Sequence, residues 1–396
     1  MVGASLAGLR AAEALRRGGH TGPLTVVGAE PHPPYDRPPL SKQLLTGKVD
    51  ADATALGSAE DLGVVWLLGV TAAGVDLDRR RVRLDGGGEL GFDGLVLATG
   101  SQPRSLPLLD QRAGVKLLRT LDDALALRQA LRSGSPRVLV VGAGVIGLEV
   151  ASSARSLGLP VTVVEMADAP LTRVVGDRLA PVVAELHRDH GVDLHLGVTL
   201  EAVEGADRVE ALRLAGGKTV TGDVVVVGVG AAPATAWLEG SGVDIADGVL
   251  CDSRLRVLAG GRPLPHVVAA GDLARWDRPG GGLTRLEHWT NAVESAAAAA
   301  ATLLRGDEAP AYDPVPYVWS DQHDRKIQVV GLHRSGDDTE IVDGSVADRR
   351  FVAAFGRDGR LVAGVGFGRP AGVMALRRLI AEGAPYPPAL NHPPAR

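Results

Sequence analysis

The chain has 396 residues and a formal net charge of −5, which is enough length for two or three domains and a balance that argues against nucleic acid as the main partner. No apolar run approaches the roughly 20 residues that a membrane-spanning helix needs, and no signal peptide is recognisable, so we expect a cytoplasmic protein without a membrane partner. The single cysteine, Cys251, excludes an intrachain disulfide, a redox-active cysteine pair and a cysteine-ligated metal centre. It lies in a short apolar run, so we predict that it is buried and unreactive, and we predict no metal site.

The chain begins with a glycine turn that is typical of nucleotide-binding folds. Gly3, Ser5 and Gly8 occupy the three positions of the G-x-G-x-x-G pattern, and a helical pattern and an apolar strand follow them. The first glycine allows a tight turn, the second lets a pyrophosphate approach the backbone, and the third lets the helix pack on the strand. Ser5 is tolerable at the middle position if its Cβ points away from the phosphates. The acid at the end of the next strand is displaced. Gly28 stands where the second glycine motif, at residues 137–165, has its acid, and Glu30 comes two residues later.

The strand before this turn is short in the sequence. Only Met1 and Val2 precede Gly3, although a parallel strand needs about five residues. We therefore expect the natural start to lie upstream, or the chain to be truncated with weaker cofactor binding. The intact mass of the native protein tests this expectation, because a native N-terminus at Met1 contradicts it.

A proline-rich and therefore stiff loop, residues 33–45, carries the cations Arg37 and Lys42. A rigid loop with two cations just after a nucleotide-binding unit suits a site for an electron-rich ring or a phosphate. An ordinary solvated loop is the alternative.

Two later apolar strands run into glycine turns. The first ends at Ala98 and continues into Thr99 and Gly100, and the second leads into Gly271 and Asp272, where we expect a helix to begin. An aspartate in this place can bind a ribityl hydroxyl, while the helix amides stay free for a pyrophosphate. A plain helix cap is the alternative.

Residues 137–165 carry the most complete motif. Gly142, Gly144 and Gly147 stand between a buried strand and a helical pattern, and a second strand ends in Glu165. This context, with an acid about 20 residues after the glycines, is a specific signal for dinucleotide binding. A carboxylate there accepts hydrogen bonds from both ribose hydroxyls and repels a 2′-phosphate, so NAD is favoured over NADP. The motif that begins at Gly142 repeats the one that begins at Gly3. The long separation of these two copies along the chain implies two domains rather than one sheet.

From Tyr312 onward, short alternating strands and a final helix predict a third domain of the α+β class. Residues 344–396 contain eight arginines and three acidic residues, which is either a solvated basic face or a docking patch for an acidic protein. Trp319 stands beside polar residues in a chain that is only 3% aromatic, so it is either a functional residue or one that stabilises the domain by packing.

Taken together, these motifs resemble the FAD-dependent pyridine-nucleotide reductases. More narrowly, they are similar to the ferredoxin, putidaredoxin and rubredoxin reductases that serve bacterial oxygenases and cytochromes P450. The stretches that carry the resemblance are the two glycine motifs, YDRPPLSK (35–42), ATG (98–100), AAGD (269–272), HWTNA (288–292) and WSDQ (319–322). The implied fold is α/β, with two Rossmann-like dinucleotide-binding domains of the glutathione-reductase type and a C-terminal α+β domain. The implied boundaries are 1–105 with 231–311 for FAD, 106–230 for NAD, and 312–396 for the C-terminal domain.

The motifs and the resemblance together assign residues to the two cofactors, FAD and NAD(H). The FAD-contacting positions are Gly3, Ser5, Ala7, Gly8, Ala29, Glu30, Arg37, Lys42, Val70, Ala98, Thr99, Gly100, Arg119, Gly271, Asp272 and Trp289. The NAD-contacting positions are Gly142, Gly144, Ile146, Gly147, Glu149, Glu165 and Gly230. The resemblance further implies catalytic roles for three residues. Lys42 lies near the flavin and stabilises its negative charge, Glu149 pairs with Lys42 or faces the nicotinamide, and Trp319 lies near the flavin edge where electrons leave, with core packing as the alternative for this tryptophan.

The activity implied is that of an NADH-dependent ferredoxin–NAD⁺ reductase. It passes electrons from NADH through the flavin to a small, acidic [2Fe–2S] ferredoxin or to rubredoxin, and it is either a monomer or a homodimer. Two alternatives stay open: an NADH oxidase that reduces oxygen, and a redox-controlled NADH/FAD binding protein similar to apoptosis-inducing factor. The single cysteine argues against chemistry of the glutathione-reductase or thioredoxin-reductase type.

Overall fold

The structure, a computed structural model, describes residues 1–57, 62–110, 112–279 and 281–389. The chain divides into two compact units. Unit 1 comprises Met1–Asp36, Asp52–Gln102 and Ala231–Pro314, and unit 2 comprises Arg37–Ala51, Pro103–Gly230 and Val315–Arg396. Across the part of the chain that is described, no helix is long and apolar enough to cross a membrane.

The central layer of unit 1 is built around Val2. This residue forms parallel bridges to Val27 on one side and to Leu97 on the other. Its N–H donates to the Val96 carbonyl oxygen at 3.0 Å, and the Gly3 N–H donates to the Val27 carbonyl oxygen at 2.8 Å. The short segment before the first glycine turn therefore occupies the central strand position between two neighbouring parallel strands.

Two helices, Leu6–Arg17 and Trp289–Arg305, pack against each other in unit 1. The second helix contains six consecutive alanines, residues 296–301, whose small side chains allow close approach to the apolar face of the first. The approach is tight at one end, because a Cβ on Gly18 would lie 2.3 Å from Leu304 Cδ1. The alanine run is thus a packing feature of the fold, as its composition indicates.

The strands of unit 1 form a mixed set of sheets. Leu24–Gly28 pairs in parallel with Val64–Leu68. An antiparallel sheet contains Ala72–Asp76, Arg81–Leu84 and Glu89–Gly91. A larger sheet has the order Leu95–Leu97, Arg262–Ala269, Arg256–Ala259, Val249–Cys251, Ala274–Arg278 and Gly282–Arg285. Further short elements among the described residues are the strand Ala231–Pro233 and the 3₁₀ helices Ala236–Leu238, Gly271–Leu273 and Gly306–Glu308 in unit 1, and the strand Ser101–Pro103 and the 3₁₀ helix Ala51–Thr54, each of which includes one terminal residue of unit 2.

A parallel sheet with buried valines forms the core of unit 2. Its strand order is Val192–His195, Val161–Val164, Val138–Val141, Val224–Val227 and Val115–Lys116. The two central strands are buried at every residue, as expected for a parallel sheet that is covered on both faces. The helices of this part are Leu121–Arg132, Val145–Ser156, Thr172–Val175 and Ala180–Asp189. A three-stranded antiparallel sheet, Leu200–Glu204, Ala211–Leu214 and Thr219–Thr221, packs its apolar side chains against this core.

The C-terminal part of unit 2 is an antiparallel sheet covered by one helix. The strand order is Tyr317–Gln322, Arg325–Gly331, Arg360–Phe367, Arg350–Arg357 and Asp338–Ser345, and the helix is Pro370–Ala381. The helix packs closely on two glycines of the sheet. A Cβ on Gly364 would lie 2.3 Å from Leu376 Cδ1, and one on Gly366 would lie 2.2 Å from Val373 Cγ2. The segment 37–51 of unit 2 contributes the 3₁₀ helix Pro38–Ser41 and the short helix Gln43–Thr46.

Most sequence expectations about the fold agree with these elements. The predicted α/β class with a C-terminal α+β part is confirmed, and the side chain of Cys251 is fully buried, where burial raises the pKa of its thiol. The helix expected to begin at Gly271 is wrong, because Gly271–Leu273 is a single 3₁₀ turn that leads into the strand Ala274–Arg278. The predicted division into three domains stays a prediction.

Candidate functional site

The first glycine turn is required by the packing of unit 1 itself. Gly3 has φ of +115°, and a Cβ there would lie 2.1 Å from the Ala98 carbonyl oxygen. A Cβ on Gly8 would lie 1.9 Å from the Gly3 carbonyl oxygen. Ser5 is the N-cap of the helix Leu6–Arg17, whose first turn carries no acidic residue. An anion at this helix N-terminus therefore meets backbone N–H groups without a repelling carboxylate in that turn.

The end of the neighbouring strand brings three predicted FAD residues together. The Val70 N–H donates to the Gly28 carbonyl oxygen at 2.9 Å, and the Gly69 N–H donates to the Glu30 carbonyl oxygen at 3.0 Å. The Ala29–Glu30 pair and Val70 are thus adjacent. Tyr35 donates its hydroxyl proton to the Glu30 carboxylate. Glu30 stands two residues beyond the end of the strand Leu24–Gly28, near the place where a ribose site of this fold has its acid, and its role toward FAD stays a prediction.

The predicted turn residues from the later strands also reach this edge of the sheet. Gly271 has φ of +72°, and a Cβ there would lie 3.1 Å from Ala7 Cβ, so the turn lies against the first helix. Asp272 accepts a hydrogen bond from Ser101 Oγ at 2.9 Å. Ala98 donates its N–H to the Val2 carbonyl oxygen at 2.7 Å, and Thr99 donates its hydroxyl to the Ala234 carbonyl oxygen at 2.8 Å.

These contacts gather the unit 1 part of the predicted FAD site at the carboxyl ends of parallel strands, where ligands bind in such sheets. Gly100, with φ of +69°, completes the turn after Thr99. Trp289 begins the second helix and donates its indole N–H to Asp36 Oδ1 at 2.7 Å.

The second glycine turn, in unit 2, contains two glycines that the packing of the chain requires and one that it does not. A Cβ on Gly142 would lie 2.4 Å from the Gly228 carbonyl oxygen, and one on Gly147 would lie 2.2 Å from the Gly142 carbonyl oxygen. For Gly144 the nearest chain atom would be the Gly228 carbonyl oxygen at 3.6 Å, an ordinary contact. The chain itself therefore does not demand a glycine at position 144, and the open space beside it fits a pyrophosphate. Ser5 occupies the equivalent place in unit 1, which fits the same reasoning.

Glu165 is held beside this turn. Its Oε2 accepts the Ala143 N–H at 2.6 Å, and its Oε1 accepts the Ala167 N–H at 2.8 Å. Each carboxylate oxygen has a second lone pair for a ribose hydroxyl. Ile146, in the first turn of the following helix, is 42% exposed, and Gly230 has φ of +103°. The first turn of that helix has no acidic residue, so the turn fits a dinucleotide.

A buried ion pair lies in unit 2. Lys42 Nζ is 2.7 Å from Glu149 Oε2, and the two side chains are 11% and 2% exposed. The hydroxyl of Ser41 donates to the same oxygen, and the Ser320 hydroxyl donates to Glu149 Oε1 at 2.7 Å. The structure thus contains the pairing that the resemblance suggested. A buried carboxylate needs such partners, because an unpaired buried charge is strongly unfavourable.

Sequence reasoning did not identify Ser41 and Ser320 as partners of this carboxylate. Ser41 lies in the YDRPPLSK stretch and Ser320 in the WSDQ stretch, but they are 108 and 171 positions from Glu149. The alternation of the W-S-D-Q strand was the available signal, because it places Ser320 and Gln322 on the face opposite Trp319.

The other predicted residues of unit 2 are two arginines and a tryptophan. Arg37 Nη1 donates to the Arg119 carbonyl oxygen at 2.6 Å, so the two predicted FAD-binding arginines are brought together. Trp319 is half-buried rather than part of the core, and its ring stacks on that of Tyr317 with centroids 5.8 Å apart. Arg377 lies over the same tyrosine ring.

Two family models match this chain. The model described as Pyridine nucleotide-disulphide oxidoreductase matches residues 1–296, and the model described as Reductase C-terminal matches residues 317–395. The chain therefore belongs to the pyridine nucleotide-disulphide oxidoreductase family. The predicted family and its cofactors, FAD and NAD(H), are confirmed at this level.

Individual relatives indicate which kind of reductase within this family the chain is similar to. Rhodocoxin reductase of Rhodococcus erythropolis is 36% identical over 394 residues, which cover 98% of this chain and 90% of the relative. The anthranilate 1,2-dioxygenase system ferredoxin–NAD(+) reductase component of Burkholderia cepacia is 38% identical over 403 residues, covering 99% and 96%. Among solved structures, the crystal structure of the covalent putidaredoxin reductase–putidaredoxin complex matches with a TM-score of 0.91 and 31% identity, covering 97% of this chain and 93% of that one.

Proposed function

We propose that this protein is an NADH-dependent ferredoxin reductase that delivers electrons to a [2Fe–2S] ferredoxin serving an oxygenase or a cytochrome P450. The observation that carries the proposal is the pair of glycine turns, each at the N-terminus of a helix without an acid in its first turn and each with an acid near the end of the next strand, in a chain whose only cysteine is buried. Relatives that this chain covers to 90% or more bear the names of such reductases.

Bound FAD supplies the conversion between a two-electron donor and one-electron acceptors, and the chain supplies binding, orientation and electrostatics. In unit 1, the N–H groups at Ser5 would bind the pyrophosphate of FAD, Glu30 would accept hydrogen bonds from its ribose, and Asp272 would accept one from its ribityl chain. In unit 2, the turn at Gly144 would bind the pyrophosphate of NADH, and Glu165 would bind its ribose.

The Lys42–Glu149 pair has the properties of an electrostatic stabiliser. The ammonium is held by a buried carboxylate that two serine hydroxyls also fix in place, so little reorganisation is needed when negative charge develops nearby. With FAD bound, the role of Lys42 would be to stabilise negative charge on the flavin. The assignment of Lys42, Arg37 and Arg119 to FAD rests on the family resemblance and stays a prediction, as does electron exit beside Trp319.

The electron carrier that we propose is acidic, because the C-terminal part of the chain carries an excess of arginine. Arg378, on the helix Pro370–Ala381, has a side chain that is 73% exposed, and its Nε lies 3.7 Å from the likewise exposed carboxylate of Glu382, so the guanidinium can also contact such a carrier. We place the reductase in the cytoplasm, because its electron donor NADH is supplied there.

Reduction of cytochrome c tests the proposed function. FAD-loaded protein is mixed with NADH and cytochrome c, with and without a [2Fe–2S] ferredoxin, and the expected result is reduction that rises with ferredoxin concentration. Fast oxygen consumption without ferredoxin would identify an NADH oxidase instead. A long-lived NADH complex without turnover would identify a binding protein. The variant Cys251→Ser serves as the matched control and should keep full activity, because the thiol is buried and has no role in the proposed chemistry.

A further inference from the structure

A chain of hydrogen bonds leaves the Glu149 carboxylate and runs through side chains of unit 2. Ser320 Oγ donates to Glu149 Oε1 at 2.7 Å, and Gln322 Nε2 donates to Ser320 Oγ at 3.0 Å. The Gln322 Oε1 lies 3.0 Å from His187 Nε2. The other ring nitrogen of His187, Nδ1, lies 3.1 Å from His323 Nε2.

This chain connects a buried ion pair with the surface of the unit. Gln322 and His187 are fully buried, and Ser320 is 5% exposed. His323 is half-buried, and its ring stacks on the His190 ring with centroids 4.1 Å apart. His190 in turn lies 3.6 Å from Asp324, and both of those side chains are partly exposed. A continuous run of polar side chains through an otherwise apolar interior requires a reason, since each member must be satisfied.

The hydrogen bonds of the chain all point toward Glu149. In the ion pair with Lys42 the Glu149 carboxylate only accepts, so the Ser320 hydroxyl donates to it and accepts from the Gln322 amide N–H. The carbonyl oxygen of Gln322 then accepts from His187 Nε2–H, and the bare Nδ1 of His187 accepts from His323. The carboxylate thereby fixes the orientation of the amide and the tautomer of the imidazole.

The histidines are in the state that this arrangement needs. Burial lowers the pKa of His187 to about 4 and that of His323 to about 3, so both rings are neutral at pH 7. Proton conduction along the chain is disfavoured, because the Gln322 amide would have to take up a proton on oxygen and lose one from nitrogen. The chain therefore orients rather than conducts.

We propose that Ser320, Gln322 and His187 are positioning residues for Glu149, which hold its carboxylate with Oε1 on Ser320 and Oε2 on Lys42 for hydride transfer from NADH. The role in hydride transfer rests on the proposed function, whereas the directed chain itself does not. The two parts are therefore tested by separate measurements.

The direction of the chain is tested by the substitution Glu149→Gln in the FAD-loaded protein. Lys42 only donates, so the new amide places its oxygen toward Lys42 and its NH₂ group toward Ser320. Ser320 must then donate to the Gln322 carbonyl, the Gln322 amide must turn over, and His187 must move its proton from Nε2 to Nδ1. Nitrogen-15 NMR of labelled histidines reports this tautomer, and the His187 signals are assigned by their loss in His187→Gln.

The expected result is an Nε2–H tautomer of His187 in the wild type and an Nδ1–H tautomer in Glu149→Gln. The same tautomer in both proteins, or an Nδ1–H tautomer in the wild type, would overturn the directed chain. This readout needs neither ferredoxin nor turnover, so it is independent of the proposed function.

The role in hydride transfer is tested with Gln322→Met, which keeps the side-chain volume and removes both hydrogen bonds. The matched control is Gln328→Met on the adjacent strand, because Gln328 is also buried but donates to the Tyr317 hydroxyl and not to the chain. Stopped-flow mixing with NADH should show hydride transfer slowed by about tenfold in Gln322→Met, with the Kd for NADH from the concentration dependence little changed, since a displaced charge acts on the reacting geometry. Wild-type rates of hydride transfer in both variants would overturn the positioning role. An equal loss of rate in both variants would show a general packing effect and overturn it as well.

Discussion

Gly144 and Gly147 belong to the same turn but are required for different reasons, so replacing each by alanine separates ligand binding from folding. A methyl group at position 147 would lie 2.2 Å from the Gly142 carbonyl oxygen, which forces the helix Val145–Ser156 away from the turn. A methyl group at position 144 would lie 3.6 Å from its nearest chain atom. The first substitution should therefore damage the fold, and the second should affect only what binds beside the turn.

The expected magnitudes follow from these distances. Overpacking of the kind produced by Gly147→Ala typically lowers the free energy of unfolding by about 1–3 kcal/mol. Gly144 has φ of −76°, which alanine adopts without strain, so Gly144→Ala should stabilise the chain by about 0.4–1 kcal/mol through the entropy of the unfolded state. Its methyl group would occupy the space beside the turn that we assign to the pyrophosphate of NADH. We expect the Kd for NADH to rise at least about tenfold, which corresponds to about 1.4 kcal/mol.

Two measurements decide between these outcomes. Denaturant unfolding gives the stability of each variant, and NADH titration in a ferricyanide reduction assay gives the apparent affinity. Ser5→Gly is the matched control, since it changes the equivalent position of the other turn and should leave the affinity for NADH unchanged. Unchanged affinity in Gly144→Ala, or equal destabilisation by both alanine variants, would refute the reasoning.

Three further predictions concern specificity, docking and pH. Glu165→Ala combined with Met166→Arg should shift the preference toward NADPH, because a repelling carboxylate is replaced by a cation on a 72% exposed side chain; an unchanged preference ratio in kcat/KM would place Glu165 away from the ribose. Neutralising Arg377 and Arg378 with glutamine should raise KM for an acidic ferredoxin and leave ferricyanide reduction unchanged; a parallel loss of both activities would make these arginines structural. Burial lowers the pKa of His187 from 6.5 to about 4, so the unfolded chain binds the extra proton first and stability is lost as the pH falls from 6.5 toward 4. Between pH 7 and pH 5 the wild type should lose roughly 2 kcal/mol more than His187→Gln in denaturant unfolding, and identical pH profiles would contradict this.

Features that depend on neighbouring residues were predictable from the sequence. The motif from Gly142 to Glu165 is a strand, a turn, a helix and a second strand in direct succession, and each part has its own local signal. The same holds for the C-terminal α+β part. The agreement of pattern, turn chemistry and spacing explains why the family resemblance was specific.

Features that depend on distant residues were not predictable in the same way. The partners of Glu149 come from segments far apart in the chain, and only the folded protein brings Ser41 and Ser320 to one carboxylate. The helix expected after Asp272 failed for a related reason. The segment Ala274–Arg278 pairs with strands on both sides, and this tertiary pairing outweighs the local signal for a helix start.

The expectation that the natural chain begins upstream, or that the chain is truncated, stays a prediction. In the structure, the bridges of Val2 to Val27 and Leu97 satisfy the backbone on both sides. Local length rules for strands do not include such support from neighbouring strands.

The yield of reduced ferredoxin per NADH tests the central claim most directly. FAD-loaded protein is supplied with a limiting amount of NADH and an excess of oxidised [2Fe–2S] ferredoxin under anaerobic conditions, and the absorbance changes of both are followed. The account predicts about two molecules of reduced ferredoxin for each NADH consumed, because a two-electron donor is converted into one-electron products. NADH that is consumed without reduction of ferredoxin, or a mixture in which neither changes, would contradict it.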